Sequence, residues 1–157
     1  MNKVVLLDTG PLGQITHPRM KPEVVEWLKF LKKTATALRV PEIADYELRR
    51  ELLRLGKQPS IDRLDQFGQP RFIPITPETM RKAAELWAWV RAKGQATAGN
   101  ESLDGDVILA AQATLQTRNF DEVIVVTTNL KHISRFQCEG ICVCGWQQAL
   151  ENSQSDC

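Results

Sequence analysis

The sequence is short of several things, and each shortage narrows the function. There are four cysteines (Cys138, Cys142, Cys144, Cys157), all in the last twenty positions. A disulfide framework would spread them through the chain, so reduced thiols in a cytoplasmic protein are expected. No apolar run approaches the ~18 residues of a membrane helix, and Met1-Asn2-Lys3 before four apolar residues is too short for a signal peptide. Charge of one sign is also missing. Lys and Arg total 20 against 19 Asp and Glu, so any nucleic-acid binding must rest on a local patch. The chain has two histidines, His17 and His132, and neither lies in a segment expected to reach Asp8 as half of an acid–base pair. It has no internal repeat, low-complexity tract or linker. With 157 residues, 43% hydrophobic and 25% charged, one globular domain over 1–150 is expected, and 151–157 as a disordered tail.

What is present is organised around Val4-Val5-Leu6-Leu7-Asp8-Thr9-Gly10. Four apolar residues running into an acid and Gly10-Pro11 suit a strand buried on both faces, as in a parallel sheet under helices. Asp8 then stands at the carboxyl end of that strand, where open α/β sheets collect ligands. An unpaired buried carboxylate is too costly to be core filling, so a basic group or a cation must meet it.

After a loop or short helical turn over 10–18, helical spacing of Val24, Val25, Leu28 and Leu31 predicts a helix over 22–33. A strand over 37–40, a helix over 42–55 stopped by Gly56, and a short helix over 59–66 follow. Residues 71–75 read as a third strand, its Pro74 hinting at a sheet edge. Thr76-Pro77-Glu78 opens a helix to about 93. A polar loop over 95–102 precedes a helix over 104–116 that is apolar nearly all round and therefore buried. Strands over 123–127 and 141–144 and a closing helix over 145–152 complete the chain. Strands alternating with helices specify an α/β fold with a parallel sheet.

Acids gather at strand ends and adjoining helix starts: Asp8, Glu47, Asp104 and Asp106, with Asn129 after the fourth strand. If the first strand is central, with the second and fourth beside it, they converge at one edge. Clustered carboxylates raise one another's pKa and call for cations, and oxygen ligands select hard ions such as Mg²⁺ or Mn²⁺. Such ions activate water for attack on a phosphodiester, with no covalent enzyme intermediate. Asp8 is the hardest of them to explain otherwise, and the other acids each have a plainer role open to them. Asp104 has the place of an N-cap, Asp106 the first turn of a helix, and Glu47 a surface pair with Arg50.

Other acid-bearing α/β patterns fit less well. A haloacid-dehalogenase-like phosphatase needs a second acid where Gly10 stands, a response-regulator receiver needs an acid where Ile75 runs into Thr76, and no Gly-rich phosphate loop follows the first strand.

The pattern resembles the PIN domain family, and within it the VapC-like toxins of bacterial toxin-antitoxin pairs. Leu6-Leu7-Asp8-Thr9 resembles the family's opening strand and first acid; Tyr46-Glu47-Leu48 its second; Asp106-Val107-Ile108-Leu109-Ala110-Ala111 its Asp-x-x-Ile-Ala-Ala segment; and Val126-Thr127-Thr128-Asn129 its Thr-x-Asn/Asp segment. The resemblance runs from about residue 3 to 146. It departs from the family in two points: with Asn at 129 a fourth acid is missing there unless Asp104 replaces it, and the 95–102 loop is long.

The resemblance implies a three-layer α/β/α sandwich with a parallel sheet of about five strands. It also implies a Mg²⁺- or Mn²⁺-dependent endoribonuclease cutting single-stranded RNA, neutralised by a small antitoxin protein and working as a homodimer. Asp8, Glu47 and Asp106 would be catalytic and bind metal, with Asp104 and Asn129 supporting. Thr9 and Thr127 would orient carboxylates or contact phosphate. Arg49 and Arg50, with Arg54 and Lys57, would hold RNA backbone, a solvated helix face being the plainer role. Trp27, Trp87 and Trp89 are spare aromatics for a dimer, or core.

Two other classes stand against this reading. One is a catalytically silent PIN-like interaction module, which loss of Asp8 or Asp106 would have signalled. The other is a structural zinc protein using Cys138, Cys142, Cys144 and His132.

Overall fold

The computed structural model describes residues 1–94 and 100–151, with the side chains of 100–102 left aside. Its centre is β1 (Lys3–Leu7), and the elements follow as α1 (Thr9–Ile15), α2 (Pro22–Lys33), β2 (Ala37–Pro41), α3 (Glu42–Leu55), α4 (Gln58–Gly68), β3 (Phe72–Ile73), α5 (Pro77–Ala92), α6 (Asn100–Gln116), β4 (Glu122–Thr127), α7 (Leu130–Ile133), β5 (Cys142–Gly145) and α8 (Trp146–Glu151). Short 3₁₀ turns span Gln69–Arg71 and Ser134–Glu139. The five strands form one parallel sheet in the order β3-β2-β1-β4-β5. The chain leaves β1 toward β2 and later returns to its other side as β4, so the carboxyl end of β1 is the switch point where such sheets bind ligands.

The continuous apolar runs are explained by a core on each face. Val4 and Leu6 of β1, with Val123 and Val125 of β4, pack under α5 and α6 around Phe136. Val5 and Leu7 face the other way, into a core made with α1, α2, α3, α4 and α8. Period-two alternation therefore divides one strand between two cores, and both sets are apolar. The result is the three-layer α/β/α sandwich expected.

Several boundaries differ from expectation. Residues 9–15 form a true helix, because Asp8 caps it and Pro11 falls in the first turn, where a missing N–H costs nothing. Helix α6 begins at Asn100, so Asp104 and Asp106 lie inside it rather than capping it. Strand β3 is only two residues long. It is held by Gln112 of α6, whose Nε2 donates to Ile73 O at 2.8 Å while Oε1 accepts from Ile43 N–H at 3.2 Å. Most of the expected loop over 95–102 and the expected tail (bar Glu151, in α8) lie outside the described residues. Trp27 is not spare: it is buried edge-on against Trp146, their ring centroids 5.0 Å apart. Trp87 is the exposed member of that set. No helix among the described residues is long and apolar enough to cross a membrane.

Candidate active site

Asp8 leaves β1 in an extended conformation and opens α1 as its N-cap, its Oδ1 accepting from Thr9 N–H at 2.8 Å. Its Oδ2 accepts from the buried Thr127 hydroxyl at 2.6 Å, at the end of the neighbouring strand β4. Thr127 Oγ1 in turn accepts from Asn129 N–H at 2.8 Å. Both threonines singled out in the sequence donate to carboxylates here: Thr127 to Asp8, and Thr9 Oγ1 to Glu47 Oε1 at 3.0 Å. Glu47 comes from the second turn of α3 and rests against α6. A Cβ on Gly105 would lie 3.0 Å from its Oε2, so the absence of a side chain there makes room for the carboxylate.

Asp106 enters from α6 and is 9% exposed. Burial pushes its carboxyl up to about 6; His132 and Arg135 pull it down, and the charges of Asp8 and Glu47 raise it further. Burial likewise raises Glu47, opposed by the Thr9 hydrogen bond, with Asp8 adding and Arg50 subtracting. The charge of Asp8 is felt at Glu47, and those of Asp8 and Glu47 at Asp106, so the three acids belong to one electrostatic neighbourhood at the switch point.

Asp104 is not brought there. Two residues from Asp106 on a helix, it falls on nearly the opposite side, exposed over a groove with Met80 and Trp87 of α5. Asn129 reaches the cluster through its backbone N–H, and its side chain makes no cap bond to α7. Arg49 and Arg50 also part company. Arg49 donates to Asp45 at 2.9 and 3.1 Å and to Asp65 at 2.7 Å, tying α3 to α4. Those two acids hold its guanidinium above its usual range. Arg50 Nη2 lies 3.9 Å from Glu47 Oε2.

Two neighbours of the acids were not read from sequence. His132 Nδ1 stands 3.5 Å from Asp106 Oδ2, buried and without a hydrogen bond of its own. The expectation that both histidines stand clear of Asp8 did not foresee contact with another of the acids. Arg135 Nη2 is 3.4 Å from the same oxygen, and its Nε donates to His132 O at 2.8 Å. The signal available was spacing: His132 and Arg135 lie three and six residues past Asn129, one and two turns along the same short helical segment. The cysteines are elsewhere. Cys144 is buried in the core under α2 and α8, and Cys138 is exposed, so with His132 on Asp106 the zinc grouping does not assemble.

The donors suit a hard divalent cation by type: they are carboxylate oxygens, and burial and crowding oppose the ionisation of two of them. They are not drawn into a ready-made shell, since among the described residues no three His, Cys, Asp or Glu side chains stand close enough together to hold a metal ion. The fit is one of chemistry and placement, and a cation would have to draw the three carboxylates inward.

The model of the PIN domain family matches residues 5–135. Among solved structures, the chain is similar to VapBC2 from Rickettsia felis bound to a DNA fragment from its promoter, at 20% identity and TM-score 0.70, covering 91% of this chain and 98% of the other. It is similar to DNA-bound VapBC from Salmonella typhimurium at 18% identity and TM-score 0.67, covering 93% and 99%. For FitAcB from Neisseria gonorrhoeae the values are 19% and 0.61, covering 88% and 95%. Curated protein sequences gave no match. At these identities the structural likeness speaks for the fold, and the family model, spanning most of the sequence, speaks for descent: the chain belongs to the PIN domain family.

Proposed function

We propose that this protein is a Mg²⁺- or Mn²⁺-dependent endoribonuclease that cuts single-stranded RNA, and the toxin of a toxin-antitoxin pair. The observation that carries the reading is the convergence of three acids on the switch point: Thr127 ties Asp8 there, Thr9 ties Glu47, and Glu47 lies against Gly105 on the helix that brings in Asp106. When bound there, the metal supplies a water of lowered pKa and neutralises phosphate oxygens. The chain's own residues hold the acids. Thr9 N–H and Thr127 Oγ1 fix both oxygens of Asp8, and Thr9 Oγ1 fixes Glu47. Arg50 offers a cation to backbone phosphate. Extended RNA suits such a cleft, because a single strand can bend to present one phosphate.

An antitoxin partner is supported by the VapBC complexes among the similar structures and by the resemblance in sequence. A homodimer is part of the same reading, with the exposed Trp87 available to it. Sedimentation at tens of micromolar checks that, and a monomer there counts against it.

The test of the activity is cleavage of a single-stranded RNA by the purified protein. Cutting should stop in EDTA, return with Mg²⁺ or Mn²⁺, and be absent in Asp8→Asn and Asp106→Asn. Undiminished cutting in EDTA would overturn the metal reading.

A further inference from the structure

Tyr46 is the chain's single tyrosine, and it is 55% exposed on α3, one residue before Glu47. The inner side of that helix buries Ile43, Ala44 and Leu52, so an aromatic ring left outside has no part in the core. The Arg50 guanidinium carbon lies 5.1 Å from the Tyr46 ring centroid, while Arg50 Nη2 lies 3.9 Å from Glu47 Oε2. One side chain therefore links the exposed ring to the acid cluster. Its neighbour Arg49 is turned the other way and taken up by Asp45 and Asp65.

We propose that Tyr46 and Arg50 form a nucleobase platform on the lip of the acid cluster, where a base of the single-stranded RNA stacks while Arg50 meets its phosphate. The proposal rests on the RNA reading above and names how the substrate is held. A flat, exposed ring stacks any base through its π-face, so it gives affinity without sequence preference. A guanidinium adds stacking and charge together. The charge is complementary at this spot: Asp8 and Glu47 repel a phosphate, and Arg50 is the cation placed beside Glu47 to offset that. Exposed Leu53 continues the stripe one turn beyond Arg50, which suits a protein partner. The ring and cation next to the acids favour nucleic acid.

A single tyrosine makes the test specific. The full chain labelled with 3-fluorotyrosine gives one ¹⁹F resonance, titrated in EDTA with single-stranded oligo(A), oligo(U) and an abasic oligomer. The resonance should move with the two base-bearing strands and stay with the abasic one. Affinity measured by anisotropy should fall about tenfold in Tyr46→Ala and hold in Tyr46→Phe, with unchanged circular dichroism in both. Arg50→Met should weaken binding and lower its salt dependence. Unchanged affinity in Tyr46→Ala, or a resonance that follows protein concentration instead of RNA, overturns the platform; the second result assigns the face to another copy of the chain. RNA cut in Mg²⁺ with the resonance unmoved overturns the platform alone. A wild-type protein that neither binds nor cuts RNA overturns the RNA reading and the platform with it.

Discussion

Among the described carboxylates, Asp106 is the one whose surroundings most oppose ionisation. It is nearly buried, and its carboxyl stands at about 6 against an ordinary 3.8. The sign of the consequence follows from which state holds the proton. Between those two values the folded chain binds a proton that the unfolded chain has released, so stability falls as pH rises. Above about 6 the full penalty is in place, on the order of 3 kcal/mol. Asp106→Asn removes the charge and keeps the shape. Without metal, that variant should melt a few degrees above the wild type at pH 8, the gap closing toward pH 4. Melting curves at the two pH values check this, and a gap that widens in acid would show that Arg135 and His132 compensate the carboxylate fully. The same acid should be indispensable to cleavage, as function placed at the expense of stability would require.

The contact of α6 with α3 decides which acids share the site, and it also shows what the sequence made legible. The apolar runs of β1 and β4 and the capped start of α5 announced themselves, because period and capping are local properties. So did Asp8 at a strand end. The separation of Asp104 from Asp106, and of Arg49 from Arg50, was not legible as charge. It follows once the start and phase of each helix are known, since two residues turn a helical side chain through about 200° and neighbours through about 100°. Helix α1 was legible only as one of two readings, loop or short helical turn, because Gly10-Pro11 suits a turn when the capping by Asp8 is not counted. His132 and Arg135 carried only their spacing past Asn129, a signal easily passed over in so short a helical segment. Gly105 gave no signal at all, for its role is to leave room across an interhelical contact. Gly105→Ala should leave the fold intact and even favour the helix, by about 1 kcal/mol of propensity. Its Cβ, 3.0 Å from Glu47 Oε2, would make the carboxylate give by a few tenths of an ångström and so disturb its hydrogen bond with the Thr9 hydroxyl. The expected outcome is an unchanged or higher melting temperature with at least tenfold weaker Mn²⁺ binding by calorimetry. Wild-type affinity would mean that the room left by Gly105 is not what positions Glu47 for a cation.

For the whole molecule, the acids and the fold are one construction. Strand β1 contributes to both cores and ends in Asp8, β4 ends in Thr127, and the helices crossing on opposite faces bring Glu47 and Asp106 over that same edge. The cluster therefore joins four elements distant in sequence, each of which must be in place for it to exist. An unfolded chain offers no such grouping, so a cation bound there stabilises the folded state by mass action. At a hundred times its dissociation constant the gain is about 2.7 kcal/mol, which for a chain of this size raises the melting temperature by roughly 5–10 °C. Relief of repulsion at Asp106 and Glu47 is part of that gain, so the rise should be larger at pH 8 than at pH 5, where Asp106 is largely protonated. Mg²⁺ or Mn²⁺ should give the rise in the wild type and in Tyr46→Ala, and neither ion should give it in Asp8→Asn. An equal rise in Asp8→Asn would place the cation somewhere other than the end of β1, and the three carboxylates would then need a different explanation.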